Sequence, residues 1–267
     1  MDIIQYTFFQ NALWASLLIA IACGIVGTYI VSRRIVFISG GITHASFGGL
    51  GIGFYLGINP LLSALVFSAL SALGVEYLTH SNGYKRIRED SVIAAIWSFG
   101  MAIGVIFMFL TPGYTPNLSS YLFGNILTVS KVDILLMAIL ALVIIVVYLA
   151  GRKTIIYTAF DRDFALTQRL PVRLIEYMMM MFIAITIVLS IRLIGIMLMM
   201  SLMTIPQMTA NMFTSNYNRI TIASCVLGFI GCVSGLFLSY LFNIPSGAFI
   251  ILVLIIIFLI AKVIVRK

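Results

Sequence analysis

Residues 174–210 read LIEYMMMMFIAITIVLSIRLIGIMLMMSLMTIPQMTA, an almost unbroken apolar run with Arg192 near its middle. A helix crosses roughly 30 Å of hydrocarbon with about 20 apolar residues. The run is therefore either one over-long helix or two spans joined near Arg192, and the choice fixes the side of a membrane on which everything after it lies. Charge decides between them. With two spans, 14 of the 16 Lys and Arg residues share one side: Arg33, Arg34, Lys85, Arg86, Arg88, Arg152, Lys153, Arg162, Arg169, Arg173, Arg219, Lys262, Arg266 and Lys267. Only Lys131 and Arg192 face the other way. Basic residues in short loops mark the cytoplasmic face. One merged span would carry Arg219 and the basic C-terminus outside, so the asymmetry predicts a split run, an outside N-terminus and a cytoplasmic C-terminus.

The rest of the chain agrees with a membrane. Of 267 residues 62% are hydrophobic and 9% charged, and the mean hydropathy is +1.17, values foreign to soluble domains. The apolar runs are helix-length rather than the alternating stretches of about 10 residues of a barrel. The expected fold is an all-α polytopic membrane protein, one domain over residues 1–267. About nine spans are predicted, at 9–31, 39–57, 60–80, 91–110, 132–150, 173–191, 194–211, 219–241 and 246–264. The first run lacks a basic leader and is long, so it reads as a retained span rather than a signal peptide. The net charge of +8 is then topogenic and requires no nucleic acid. Cys23, Cys225 and Cys232 lie in apolar runs without metal or redox spacing and read as small buried hydrophobes.

Two connections are long enough for more than a turn. The inside loop GRKTIIYTAFDRDFALTQRLPV (151–172) contains a predicted amphipathic helix over about 158–170, with Thr158 as N-cap and Phe160, Phe164 and Ala165 on one face. The outside loop TPGYTPNLSSYLFGNILTVSK (111–131) has two prolines and an aromatic, half-apolar piece suited to the interface.

Catalytic signatures are missing: the sequence has no HExxH, GxSxG or P-loop, and its glycine-rich stretch lies in an apolar run rather than after a strand. Of eight acids, Glu76 alone falls well inside an expected span, which leaves little for a proton relay or paired-carboxylate chemistry. The stretch VFISGGITHASFGGLGIGFYLG (36–57) is richer. On a helix His44, Gly48, Gly51 and Tyr55 lie within about 60° of one another, and Gly41, Ala45, Gly49, Gly53 and Gly57 form a small-residue ladder on nearly the opposite side. Such ladders let transmembrane backbones approach closely. The imidazole is then expected to point away from the ladder, either toward a metal path, as a borderline donor suited to zinc, or into a simple interhelix hydrogen bond. Glu76 and His80 share a helix face and read as a metal exit point or an interfacial pair. The 14 methionines, four of them consecutive at 178–181, suit packing better than copper(I) binding. Pro206 is expected to kink the seventh span.

These pieces resemble the permease subunits of metal-ion ABC importers, the ABC-3 family of zinc and manganese uptake systems with a type II importer-like fold. The matching stretches are RRIVFISGGITHASFGG, EDSVIAAIWSFGMAIGVIF, YLFGNILTVS, YTAFDRDFALTQRLPVR, LIGIMLMMSLMTIPQMTA and YLFNIPSGAFIILV. The resemblance implies a homodimeric pore in the bacterial cytoplasmic (inner) membrane. Separate ATPase subunits would hydrolyse ATP, and an extracellular or periplasmic metal-binding protein would deliver the cargo. It makes AFDRDFA a coupling helix, with Phe160, Asp161, Phe164 and Ala165 toward the ATPase, and His44 a contact on the metal's path. The family's pore motif has an aspartate four residues before this histidine; here that position is Gly40. The expected function is therefore uptake of a divalent transition metal, zinc first, with no stably bound cofactor and no catalysis by this chain. Manganese or iron(II) import is the alternative, and a gradient-driven secondary carrier or a membrane-embedded enzyme lacks the carboxylates or triad it would need.

Overall fold

The structure, a computed structural model, describes residues 5–80, 88–112, 124, 126, 129–242 and 244–265. Their regular structure is entirely helical: α1 (Thr7–Ser32), α2 (Phe37–Leu56), α3 (Pro60–His80), α4 (Glu89–Leu110), α5 (Lys131–Phe160), α6 (Arg162–Thr167), α7 (Val172–Leu202), α8 (Ile205–Phe213), α9 (Tyr217–Phe242) and α10 (Ser246–Val265). Among the described residues eight helical segments are long and apolar enough to cross a membrane, including 172–191 and 193–213 on either side of the Arg192 seam. The split of that run is therefore borne out. The second expected span, α2, is a full 20-residue helix, but its glycines, hydroxyls and His44 dilute its hydropathy below that of the other eight. It is sheltered instead, packed between α3, α4 and α7.

The seam itself differs from expectation in two ways. The backbone leaves helical geometry at Gly195 (φ 78, ψ 168), not at Arg192. That left-handed angle suits a residue without a Cβ. A second left-handed glycine, Gly124 (φ 60), lies against the break: a Cβ built on Gly124 would fall 2.2 Å from the Gly195 nitrogen. Further on, Pro206 does not kink a continuous helix. The chain turns at Met203 and Thr204, and Pro206 sits in the first turn of α8, where its missing N–H is not needed. Gln207, buried in α8, donates to the carbonyls of Leu202 and Cys23 at 3.1 and 2.8 Å, tying the end of α7 to α1.

Between lipid-embedded helices burial of apolar area drives little, and close backbone approach does the packing. The α2–α4 contact follows that rule on both sides: Gly100 meets Ala45 and Gly104 meets Phe47 and Gly51. The centre of the bundle is α1 with α7, where Tyr29, Ile30, Met179, Met180, Ile183 and Ile187 are buried together. Met179, Met180, Met199 and Met203 fill this core, as adaptable side chains do. Cys23 and Cys232 are buried there too, and all three cysteines are free thiols.

Candidate functional site

Two places gather the residues singled out by sequence. The first is the middle of α2. His44 is half-buried and lies flat on Trp97 of α4, ring centroids 4.4 Å apart and planes 8° from parallel. The histidine face is not turned away from the close-packed glycines, as helix geometry suggested. Gly48 and Gly51, on that same face, abut the backbone of Gly100 and Gly104, because α4 supplies glycines of its own there. The ladder is likewise divided between neighbours: Gly41 meets Ile93 and Ala45 meets Gly100 on α4, while Gly49 and Gly53 meet Ala64 and Pro60 on α3. Gly57 leaves the ladder altogether. With φ 66 and nothing within 4 Å of its would-be Cβ, it closes the C-terminus of α2, a normal use of left-handed glycine.

One turn before His44, the space beside Gly40 is taken by the Met200 methyl, 2.7 Å from a built Cβ, and by the Trp97 ring at 3.3 Å. The position one turn before the histidine is thus walled by a thioether and by the same indole that stacks on His44, with no carboxylate there. Among the described residues no three His, Cys, Asp or Glu side chains converge as a metal cage. Glu76 is 1% exposed and pairs with Arg33 at 3.3 Å, so its carboxylate is already engaged; the His80 side chain lies outside the described residues.

The second place is the corner after α5. The expected helix over 158–170 is shorter and later. Residues 151–160 continue α5, a 30-residue helix opened by a capping box between Ser130 and Asp133; at about 1.5 Å per residue it is about 45 Å long and outruns the hydrocarbon. Thr158 is buried inside it rather than capping anything. Asp161, extended at φ −147, makes the break and is the true N-cap: its carboxylate accepts from the Phe164 amide at 2.9 Å. Arg169, left-handed at φ 54, ends the following turn. Phe160 and Phe164 are 60% and 45% exposed at this corner while Ala165 is fully buried beneath it. Behind them Tyr217 and Tyr157 pack edge-on against Phe160 and Phe164. Two apolar rings are thus presented outward on a capped turn.

Sequence reasoning missed Trp97, which reaches His44 from α4, Met200, which fills the space beside Gly40 from α7, and the partners of Glu76. Their contacts span long stretches of chain, and no local pattern announces them.

A membrane bundle with a short capped helix projecting beyond its spans is the build of a transporter's membrane subunit. The chain matches the family model of the ABC 3 transport family over residues 5–265 and belongs to that family. It is a multi-pass permease of the bacterial inner membrane, a transport subunit rather than an enzyme. It is 41% identical over 258 residues to an uncharacterized membrane protein of Synechocystis sp., covering 97% of this chain and 91% of that one. It is 30% identical over 259 residues to the manganese transport system membrane protein MntC of Listeria monocytogenes, with the same coverage of 97% and 91%. Among solved structures it resembles PsaBC from Streptococcus pneumoniae in complex with Fab, with a TM-score of 0.85 and 29% identity over 97% of this chain and 93% of that one.

Proposed function

We propose that this chain is the permease of an ATP-driven importer for a divalent transition metal, with zinc as the preferred cargo. The observation that carries the reading is His44, held by Trp97 on a helix pair in close backbone contact, in a chain that matches a transport family over residues 5–265. The metal choice is supported by the donor set. Imidazole suits zinc, whereas manganese favours carboxylate oxygens, and Gly40 supplies none. The name of the Listeria relative favours manganese instead, and this is the second reading. Two copies would form the pore, with N-termini outside and the α6 corner in the cytoplasm. Phe160, Asp161 and Phe164 would seat in a groove of an ATPase subunit, with Ala165 packed beneath them inside the permease rather than facing the partner, and a binding protein would hand over the metal from outside. A site of neutral donors binds weakly and lets its ion leave, as conduction requires.

The test is ATP-dependent uptake by the assembled importer in liposomes, with zinc, manganese and iron(II) in competition. Zinc is expected to dominate. Manganese alone would overturn the metal assignment, and no ATP-dependent uptake of any of the three would overturn metal import.

A further inference from the structure

We infer that Arg33 is a positioning residue that carries movement of the α6 corner to the helix pair holding His44, acting through a buried ionic cluster. The inference rests on the transport reading above. One guanidinium nitrogen of Arg33, just past the end of α1, lies 3.3 Å from Glu76 of α3, 3.6 Å from Glu176 of α7 and 3.7 Å from Glu89 of α4. Its other terminal nitrogen donates to the Tyr29 hydroxyl at 3.0 Å. The same Glu176 oxygen accepts from Nε of Arg162, the first residue of α6, at 2.9 Å. The side chains of Arg33, Glu76 and Glu176 are only 10%, 1% and 2% exposed.

Buried ion pairs are poor devices for stability, because desolvation offsets their attraction and well-packed apolar residues do as well; their best-attested use is to fix a register or a switch. The arrangement here fits that use. Arg162 belongs to the docking corner, and the carboxylates it reaches through Glu176 and Arg33 stand at the ends of α3 and α4. Glu89 opens α4, and Trp97 lies eight residues along it, about 12 Å at 1.5 Å per residue. Gly100 and Gly104 then lock α4 to the α2 backbone, so the two helices shift as one body and His44 shifts with them. A cavity of about 500 Å³, lined by Thr28, Arg33, Arg34, Ala159, Phe160 and Asn211, lies beside the cluster and leaves the α5–α6 corner room to move.

The experiment uses the importer assembled with its ATPase, on a Trp14→Phe background so that Trp97 is the sole indole of this chain, with a Trp97→Phe assembly measured alongside to subtract the ATPase's own fluorescence. Arg162→Gln, Glu89→Gln and the conservative Arg162→Lys, which keeps a cation beside Glu176, are compared for zinc imported per ATP hydrolysed and for the change in Trp97 fluorescence on adding nucleotide. Arg162 and Glu89 are 26% and 23% exposed, so these variants keep water as a partner and the fold is retained. The ratio is expected to fall about tenfold in each Gln variant and to stay within about threefold of the parent in Arg162→Lys, and the fluorescence response should vanish and persist in parallel. Unchanged ratios and responses in the Gln variants, or an Arg162→Lys variant as impaired as Arg162→Gln, would overturn the relay. A nucleotide response that depends on Arg162 without movement of any metal would support the relay and count against metal import.

Discussion

His44 and Trp97 stack as parallel rings 4.4 Å apart, one from each member of the tightly packed α2–α4 pair. The indole limits the rotamers open to the imidazole and covers one of its faces. A stacked ring pair is worth about 1 kcal/mol, so Trp97→Leu should lower zinc uptake about fivefold through loss of orientation. His44→Ala should reduce uptake further with assembly intact, as read by co-purification of the ATPase. Equal uptake by the His44 variant would leave the imidazole a packing group. A paramagnetic ion such as cobalt(II) should quench Trp97 fluorescence in the parent and not in His44→Ala.

Gly40→Asp asks whether the missing carboxylate sets the cargo. The Met200 methyl at 2.7 Å is the free end of a flexible side chain and can swing away, while Trp97 at 3.3 Å must give slightly. The variant should fold and should move the manganese-to-zinc uptake ratio upward by about tenfold, since carboxylate oxygen suits manganese. A ratio that stays put would place metal choice outside this pair.

How far the sequence carried these conclusions depends on distance along the chain. The long apolar runs and the split of residues 174–210 are local or additive signals with a direct counterpart among the described helices, and the basic asymmetry bears on the orientation. The Phe160–Ala165 corner was legible as amphipathic, yet its start was misplaced: Thr158 is a plausible cap by type, but the uninterrupted apolar run of α5 carries the helix past it to Asp161. His44 was visible as a lone polar group, whereas its environment was not. Trp97, Met200 and the Arg33 carboxylates come from helices far apart in sequence, and helical periodicity says which face a residue occupies without saying which neighbour meets it. Glu76 and His80 share a face by spacing, but a guanidinium 43 residues away in the chain claims the carboxylate.

Phe164→Asp tests the docking corner. The ring is 45% exposed, so the change should cost the permease no more than about 0.5 kcal/mol and leave it inserted. Stimulated ATP hydrolysis in the assembled complex should be lost, and hydrolysis at the parent level would remove the coupling assignment.

The α2–α4 seam is tested by Gly104→Leu. Its Cβ would meet the Phe47 carbonyl oxygen at 2.7 Å, backbone that cannot step aside, and overpacking of this kind costs about 1–3 kcal/mol. The thermal midpoint in detergent should fall. Gly74→Ala, whose nearest neighbour is Ile96 at 3.8 Å, should instead be neutral or stabilise the helix by up to about 1 kcal/mol.

Orientation is open to a direct measurement. A cysteine placed singly within residues 113–120, which lie outside the described part of the chain, should react with an impermeant thiol reagent from the outside of intact cells. Labelling from the inside alone would invert the topology.

The meeting of Gly124 and Gly195 has a bearing on the history open to this chain. Each is left-handed, and a Cβ on Gly124 would fall within 2.2–2.9 Å of the backbone around Gly195. Mutational paths that add a side chain at Gly124 first meet main chain rather than a movable group, so the step is blocked until the opposing backbone has been redrawn. Lineages descending from this sequence are thereby confined: the connection before α5 and the break in α7 can drift only together.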